Sequence, residues 1–161
     1  MKHLLVALLL PLLVRGCDGF FLSPVIPPAA VTPTLALYDR AGRPSSVFHS
    51  GEDFEMRLVV VNSLREDVCY SYTPPLDGFQ IFSGDSLVAA SYFGMAFIQV
   101  FMEGCLRAGE TYRTNWIAPN WPGRDPRWAL PPGFYTAKAF HPALRDGRAR
   151  LLRPVRFVVI R

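Results

Sequence analysis

The strongest constraint on the fold is the regular spacing of apolar residues in the stretch 53–62. Phe54, Met56, Leu58 and Val60 occupy every second position. Side chains of a β-strand point alternately to its two faces, so this period of two predicts a strand with one buried face. The intervening positions change from charged residues to valines, which predicts that both faces are buried toward the end of the strand.

The same alternation recurs along the chain, between turn-forming residues. It covers the stretches 68–72, 112–116, 135–139 and 155–159, and two further apolar stretches flank the turn-like Gly84-Asp85. Many short strands with almost no amphipathic helix favour an all-β fold. We therefore expect one Ig-like antiparallel β-sandwich of about 7–9 strands, and 161 residues suffice for one such core.

One stretch, 86–102, contains no charged residue at all. Its aromatic and β-branched residues favour two core strands, broken near Gly94. Its length lies at the lower limit of a membrane-spanning helix, which is the alternative.

The first residues resemble an export signal. Lys2 and His3 precede eleven apolar residues at 4–14, one of them proline. A positively charged start before a short apolar run is typical of a signal peptide, and this run is too short for a permanent transmembrane helix.

The run ends in Val14-Arg15-Gly16-Cys17, which resembles the bacterial lipobox. Arg15 stands where that motif usually holds a small or uncharged residue. The resemblance implies that 1–16 is a lipoprotein signal peptide and that Cys17 carries a lipid. The protein would then be anchored to a bacterial membrane in the cell envelope, outside the cytoplasm. The alternative is an ordinary signal peptide that leaves Cys17 as a free thiol.

Residues 17–33 follow as the lipid anchor and a spacer. This stretch contains four prolines, a density that favours an extended, semi-rigid chain. We expect the sandwich domain to occupy 34–161.

Cys69 and Cys105 are the other two cysteines. An even pair outside the cytoplasm suits a disulfide, which would close a loop of roughly 36 residues and contribute about 3–4 kcal/mol. Strand parity does not show that the two side chains face each other, so two separately buried thiols remain the alternative.

The charge of the chain does not indicate a nucleic-acid partner. The net charge is +4, and without Lys2 and Arg15 it is 15 − 13 = +2, with no recognisable nucleic-acid motif. Six arginines fall between Arg145 and Arg161. They favour a solvated edge hairpin, with attraction to anionic lipid headgroups as the alternative.

The sequence does not predict an enzyme. Gly84-Asp85-Ser86-Leu87 spells the nucleophile block of the GDSL hydrolases, but the aspartate expected three residues before a histidine is absent: Lys138 precedes His141. A serine without a positioned base is a poor nucleophile. No metal-ligand spacing and no phosphate-binding loop occurs, so we expect no metal, no cofactor and no small-molecule substrate.

The order of landmarks over about 50–141 resembles the BsuPI family of bacterial proteinase inhibitors. A strand ends in Asn62, a strand pair follows, and the later landmarks come in the family's order. These are Phe97-Ile98-Gln99, Leu106-Arg107-Ala108-Gly109-Glu110, Trp116 and Pro131-Pro132-Gly133-Phe134-Tyr135. The resemblance implies a non-enzymatic domain that binds a protein, most simply a serine protease. The alternative is a structural or accessory Ig-like module that docks onto another envelope protein.

The loop at 118–132 is the predicted contact with that partner. It is rich in proline and carries Trp121, Arg124, Arg127 and Trp128. Tryptophan and arginine on a preorganised chain are typical of a binding hot spot. The alternative is that both tryptophans cap one end of the sandwich.

Overall fold

The alternating stretches form strands, and the fold is all-β. A computed structural model describes residues 30–119 and 129–161, and among these it contains no α-helix. The strands are β1 (Val31–Tyr38), β2 (Val47–His49), β3 (Phe54–Asn62), β4 (Val68–Tyr72), β5 (Gly78–Ser83), β6 (Ser86–Ala90), β7 (Met102–Leu106), β8 (Thr111–Ala118), β9 (Gly133–Phe140) and β10 (Val155–Ile160). A short 3-10 helix, Pro142–Arg145, lies between the last two strands.

The strands form three sheets. One has the order β1-β3-β8, the second β2-β10-β9-β5-β6, and the third consists of β4 and β7. All pairs are antiparallel except β2 with β10. Neighbours far apart in sequence, such as β5 and β9, join the two halves of the chain in one sheet.

Aromatic side chains join the two larger sheets face to face. Phe54 of β3 packs against Phe157 of β10, with ring centroids 5.2 Å apart. Phe79 of β5 stacks on Trp116 of β8 at 6.5 Å. Rings of this size dominate the burial of apolar surface in a small core. The predicted β-sandwich is therefore confirmed as two sheets that pack face to face.

Strand β3 is the centre of the three-stranded sheet. Its alternate side chains Met56, Leu58 and Val60 are completely buried. Val59 and Val61 on the opposite face are only half-buried, so the prediction that both faces become buried is wrong. The five-stranded sheet packs against the first face alone.

Strands β1, β2 and β7 have no counterpart in the predicted set, and β7 shares only Met102 with the predicted core strands. The short β2 has only three residues, too few to show alternation. Strand β1 begins at Val31 and includes Pro33, which lies inside the stretch predicted as spacer. Because β1 is an edge strand, a proline that lacks an N–H is tolerated there. The rest of the predicted spacer, the signal peptide and Cys17 lie outside the described residues.

The arginine-rich end of the chain is not an edge hairpin. Strand β10 lies between β2 and β9, and residues 150–154 before it belong to no strand. The prediction of an edge hairpin is therefore wrong. No helix in the two described stretches of the chain is long and apolar enough to cross a membrane.

Candidate functional site: an apolar loop between β6 and β7

The most exposed apolar segment among the described residues follows β6. Two consecutive turns end that strand: the Phe93 N–H donates to the Ala90 carbonyl and the Met95 N–H donates to the Tyr92 carbonyl, each at 3.2 Å. Gly94 has φ +74°, a left-handed conformation that glycine adopts without a steric penalty. The chain then continues to β7 through residues 95–101, which we call the 95–101 loop.

The 95–101 loop holds its large side chains in solvent. Ile98 is 74% exposed and Phe101 is 86% exposed, and Met95 and Val100 are exposed as well. The sequence predicted a buried core strand over these residues, and that prediction is wrong. A strand must pair with a neighbour to enter a sheet, and this segment has none among the described residues.

The backbone of the loop is also unpaired. No backbone–backbone hydrogen bond holds residues 96–100 within the described parts of the chain. Their N–H and C=O groups are therefore available to a partner, as they are on an exposed strand edge. The loop offers both apolar side chains and main-chain hydrogen-bonding groups.

A disulfide fixes the loop at its C-terminal end. Strand β7 pairs with β4 so that Cys69 lies directly opposite Cys105, and the two cysteines are bonded with their Cα atoms 4.0 Å apart. Both cysteines are exposed, in contrast to the alternative of two buried thiols. Beside them, the Tyr70 ring covers Gly104, where a Cβ would lie 2.9 Å from the ring. Close packing and a covalent bond therefore hold β7 against β4.

Side chains of the turn fix the loop at its N-terminal end. The Ser91 hydroxyl accepts a hydrogen bond from the Phe79 N–H at 3.0 Å, and the Ser91 N–H donates to the Phe79 carbonyl at 2.9 Å. The Tyr92 ring packs against Phe140, with centroids 5.9 Å apart. The Tyr92 hydroxyl accepts a hydrogen bond from the side-chain amide of Gln80. The 95–101 loop is therefore an exposed segment between two fixed ends.

A second exposed apolar surface lies on the outer face of the five-stranded sheet. Val47, Val158 and Phe134 are directly opposite one another on β2, β10 and β9, and we call them the sheet-face row. Phe134 is 83% exposed. The row is separate in sequence from the 95–101 loop, and its residues are paired within the sheet.

The predicted contact loop cannot be compared with either surface. Trp121, Arg124, Arg127 and Trp128 lie outside the described residues. Near the end of this loop Leu130 is buried, and its carbonyl accepts a hydrogen bond from the Ser50 hydroxyl at 3.0 Å.

The serine and histidines considered for catalysis are not brought together. Ser86 is exposed at the start of β6, and no described hydrogen bond joins it to a histidine. His49 contacts the Arg161 carbonyl through Nδ1. His141 is buried, and its Nδ1 accepts a hydrogen bond from the Ala143 N–H at 3.2 Å.

The surroundings of His141 are structural in character. Its Nε2 is buried without a hydrogen-bond partner among the described residues, and the rings of Tyr70 and Tyr112 pack against it. Burial lowers the pKa of His141, and the charge of Asp77 opposes that shift. The Tyr112 hydroxyl donates a hydrogen bond to Asp77; burial is the main cause that raises the pKa of Tyr112. Within the described parts of the chain, no three His, Cys, Asp or Glu side chains are grouped as metal ligands.

The sequence contained a weak signal for the exposed loop. In the first half of β3 apolar side chains alternate with charged ones, whereas the 95–101 loop is apolar at every position except Gln99. Continuous apolar character is compatible with a strand buried on both faces and equally with an exposed binding segment. Periodicity alone could not distinguish Ile98 and Phe101 from core residues.

Comparisons with known proteins give no family. No family model matches the chain, and no curated protein matches it. Among solved structures, the chain is similar to the Pseudomonas fluorescens alkylpurine DNA glycosylase AlkC bound to DNA containing an abasic site analog, with a TM-score of 0.43 and 13% sequence identity. The match covers 81% of this chain and 30% of the glycosylase chain. The resemblance to the BsuPI family therefore rests on the order of residues described above.

Proposed function

We propose that this protein is a non-enzymatic, lipid-anchored protein of the cell envelope whose β-sandwich inhibits a serine protease through the 95–101 loop. The observation that carries the proposal is the exposure of Ile98 and Phe101 on a loop with two fixed ends. The anchor on Cys17 and the inhibitor class come from the lipobox-like and BsuPI-like residues.

Burial of the exposed side chains supplies the driving force. Transfer of a fully exposed phenylalanine side chain out of water is favourable by roughly 1.5–3 kcal/mol. Binding also costs conformational entropy, which is smaller when a loop is already held at both ends. The disulfide at β7 and the Ser91 hydrogen bonds at β5 provide that restraint. An exposed aromatic side chain on a restrained loop is a candidate hot spot.

The unpaired backbone suits a protease cleft. An extended peptide that adds to a strand edge gains affinity from main-chain hydrogen bonds and specificity from alternate side-chain pockets. Residues 96–100 have these groups free of backbone pairing within the described chain, whereas strand β9 is paired with β10 on one side and with β5 on the other. The loop can therefore engage a protease as a substrate does.

The composition of the loop restricts the class of protease. The whole stretch 86–102 lacks Lys, Arg, Asp and Glu. A protease whose specificity pocket contains a carboxylate requires a basic side chain, whereas an apolar pocket accepts residues such as Phe101. We therefore assign the inhibitor to proteases that cleave after large apolar residues.

The test is a titration of purified full-length protein against serine proteases with apolar pockets and against trypsin-type proteases. We expect stoichiometric loss of activity for the first class and no effect on the second. Phe101→Asp should weaken inhibition at least about 30-fold, the size of a typical hot-spot loss.

Phe134→Asp is the matched control, because it makes the same change at an equally exposed ring of the sheet-face row. It should inhibit like the wild type. Equal loss of inhibition in both variants, or no inhibition of any apolar-pocket protease, would contradict the proposal.

The sheet-face row favours a second candidate function, an accessory module that docks onto another envelope protein. Val47, Val158 and Phe134 form a continuous apolar row across three strands and are suited to a flat protein surface. In that case cross-linking of the protein to a defined envelope partner would be lost in Phe134→Asp and retained in Phe101→Asp. The two variants therefore separate the two functions.

A further inference from the structure

The N-terminal segment joins the domain beside an arginine-rich loop. Val31, the first residue of β1, forms a parallel bridge with Ala149, and its carbonyl accepts a hydrogen bond from the Arg150 N–H at 2.8 Å. Residues 1–29, which contain the apolar run and Cys17, precede this position in the sequence. The segment that contains Cys17 therefore enters the described domain next to Arg150.

The loop after the 3-10 helix combines positive charge with an exposed apolar side chain. Arg145, Arg150 and Arg153 are exposed, and Leu151 is 87% exposed. Leu152 beside it is half-buried. We call these five residues the arginine–leucine patch.

Two open depressions flank the leucines of the patch, each of about 310 Å³. Arg145 and Arg150 line one of them, and Arg150 and Arg153 line the other. The three arginines therefore lie beside the two leucines on a shared surface.

The charges of the patch are not neutralised within the described chain. By contrast, the charge of Arg148 beside the patch is neutralised, because Arg148 pairs with Asp146 at 2.9 Å and with Glu66. Among the described residues, no ion pair involves the three arginines of the patch. The two nearby carboxylates thus already have a partner, and the patch keeps its positive charge.

We propose that the arginine–leucine patch binds the anionic headgroups of the membrane to which the protein is anchored, with Leu151 inserted at the interface. Guanidinium groups bind phosphate through paired hydrogen bonds, and an exposed apolar side chain among basic ones is typical of interfacial contact. The proposal rests on the lipid anchor of the proposed function. The anchor would tether this end of the domain, through the spacer, to the bilayer.

The test uses the full lipidated protein with Leu151→Cys, labelled with an environment-sensitive fluorophore and mixed with vesicles. One vesicle type is phosphatidylcholine alone, and the other also contains phosphatidylglycerol. Flotation with the vesicles measures the anchor, and the emission of the label measures contact at the patch. We expect flotation with both vesicle types and a blue-shifted label with phosphatidylglycerol only.

Neutralisation of the patch should remove the contact without removing the anchor. Arg150→Gln with Arg153→Gln should lower the population of the blue-shifted state about 25-fold, about fivefold for each arginine. Arg113→Gln with Arg161→Gln is the matched control, because both residues are exposed and neither forms an ion pair among the described residues. The control variant should show the same blue shift with phosphatidylglycerol as the protein in which the patch arginines are unchanged.

The outcomes separate the patch from the anchor. A chain that floats with both vesicle types but shows no shift at position 151 would overturn the patch and leave the anchor in place. A chain that floats only with phosphatidylglycerol, and loses that flotation in the Arg150 and Arg153 variant, would support the patch and contradict the anchor. Equal effects of the variant and its control would overturn the patch.

Discussion

Strand β3 and the 95–101 loop have similar apolar character and opposite positions in the molecule. Alternate side chains of β3 lie in the core, and the strand pairs with β1 on one side and β8 on the other. The side chains of the loop point into solvent, and its backbone lacks pairing within the described chain. The difference teaches that apolar composition does not bury a segment unless neighbouring strands satisfy its backbone.

The largest expected effect is a contrast in stability between the two regions. Leu58→Ala in β3 removes a completely buried side chain and should lower the free energy of unfolding by about 3–5 kcal/mol. Phe101→Ala in the loop removes an exposed side chain and should change the free energy of unfolding by less than about 0.5 kcal/mol. Chemical denaturation of both variants measures the contrast. A loss at Phe101 as large as that at Leu58 would show that the loop belongs to the core.

Removal of the disulfide tests how the loop end is held. Cys69→Ala with Cys105→Ala opens a loop of 36 residues and should destabilise the protein by about 3–4 kcal/mol in the chain-entropy model. Inhibition should weaken as well, because β7 no longer holds the loop firmly. The wild type under reducing conditions is the control. Full inhibition by a destabilised variant would disprove the role of the restraint.

Replacement of Asn62 tests the link between the end of β3 and the end of β7, the strand that follows the 95–101 loop. Its amide nitrogen lies within hydrogen-bonding distance of the Glu66, Leu106 and Arg107 carbonyls, at 2.9–3.0 Å. Asn62→Ala leaves these carbonyls without that donor and should cost about 1–3 kcal/mol. Asn115→Ala is the control, since that side chain is exposed on β8. Equal unfolding midpoints for the two variants would contradict this role.

The smallest expected effect is a pH dependence that originates at His141. Burial lowers the pKa of this residue in the folded state below its ordinary value of 6.5. The unfolded chain therefore takes up the proton first as the pH falls. The contribution of His141 to the stability of the folded state is present above pH 6.5. It is lost as the pH falls through the lowered pKa of the folded state.

Denaturation midpoints between about pH 7.5 and pH 5 measure this dependence. His141→Asn should reduce the fall of the midpoint with decreasing pH. His49→Gln, at an exposed position, should leave that fall unchanged. An identical decline in wild type and His141→Asn would show that other groups cause it.

Much of the fold could be predicted from the sequence, because alternation records which face of a strand is buried. Leu58 and Tyr135 show this directly. The short β2 and the proline-containing β1 could not be predicted, since three residues carry no period and Pro33 is typical of a spacer. The candidate loop could not be predicted either. Whether Ile98 and Phe101 are buried depends on strand pairing across the chain, which a local pattern does not contain.

The most direct test of the account is hydrogen–deuterium exchange of the backbone amides, with and without an inhibited apolar-pocket protease. In the free protein, amides of residues 96–100 should exchange rapidly and those of β3 slowly. In the complex, protection should appear at 96–100 and leave β9 unchanged. Protected loop amides in the free protein, or a complex that protects β9 in place of the loop, would contradict the central claim.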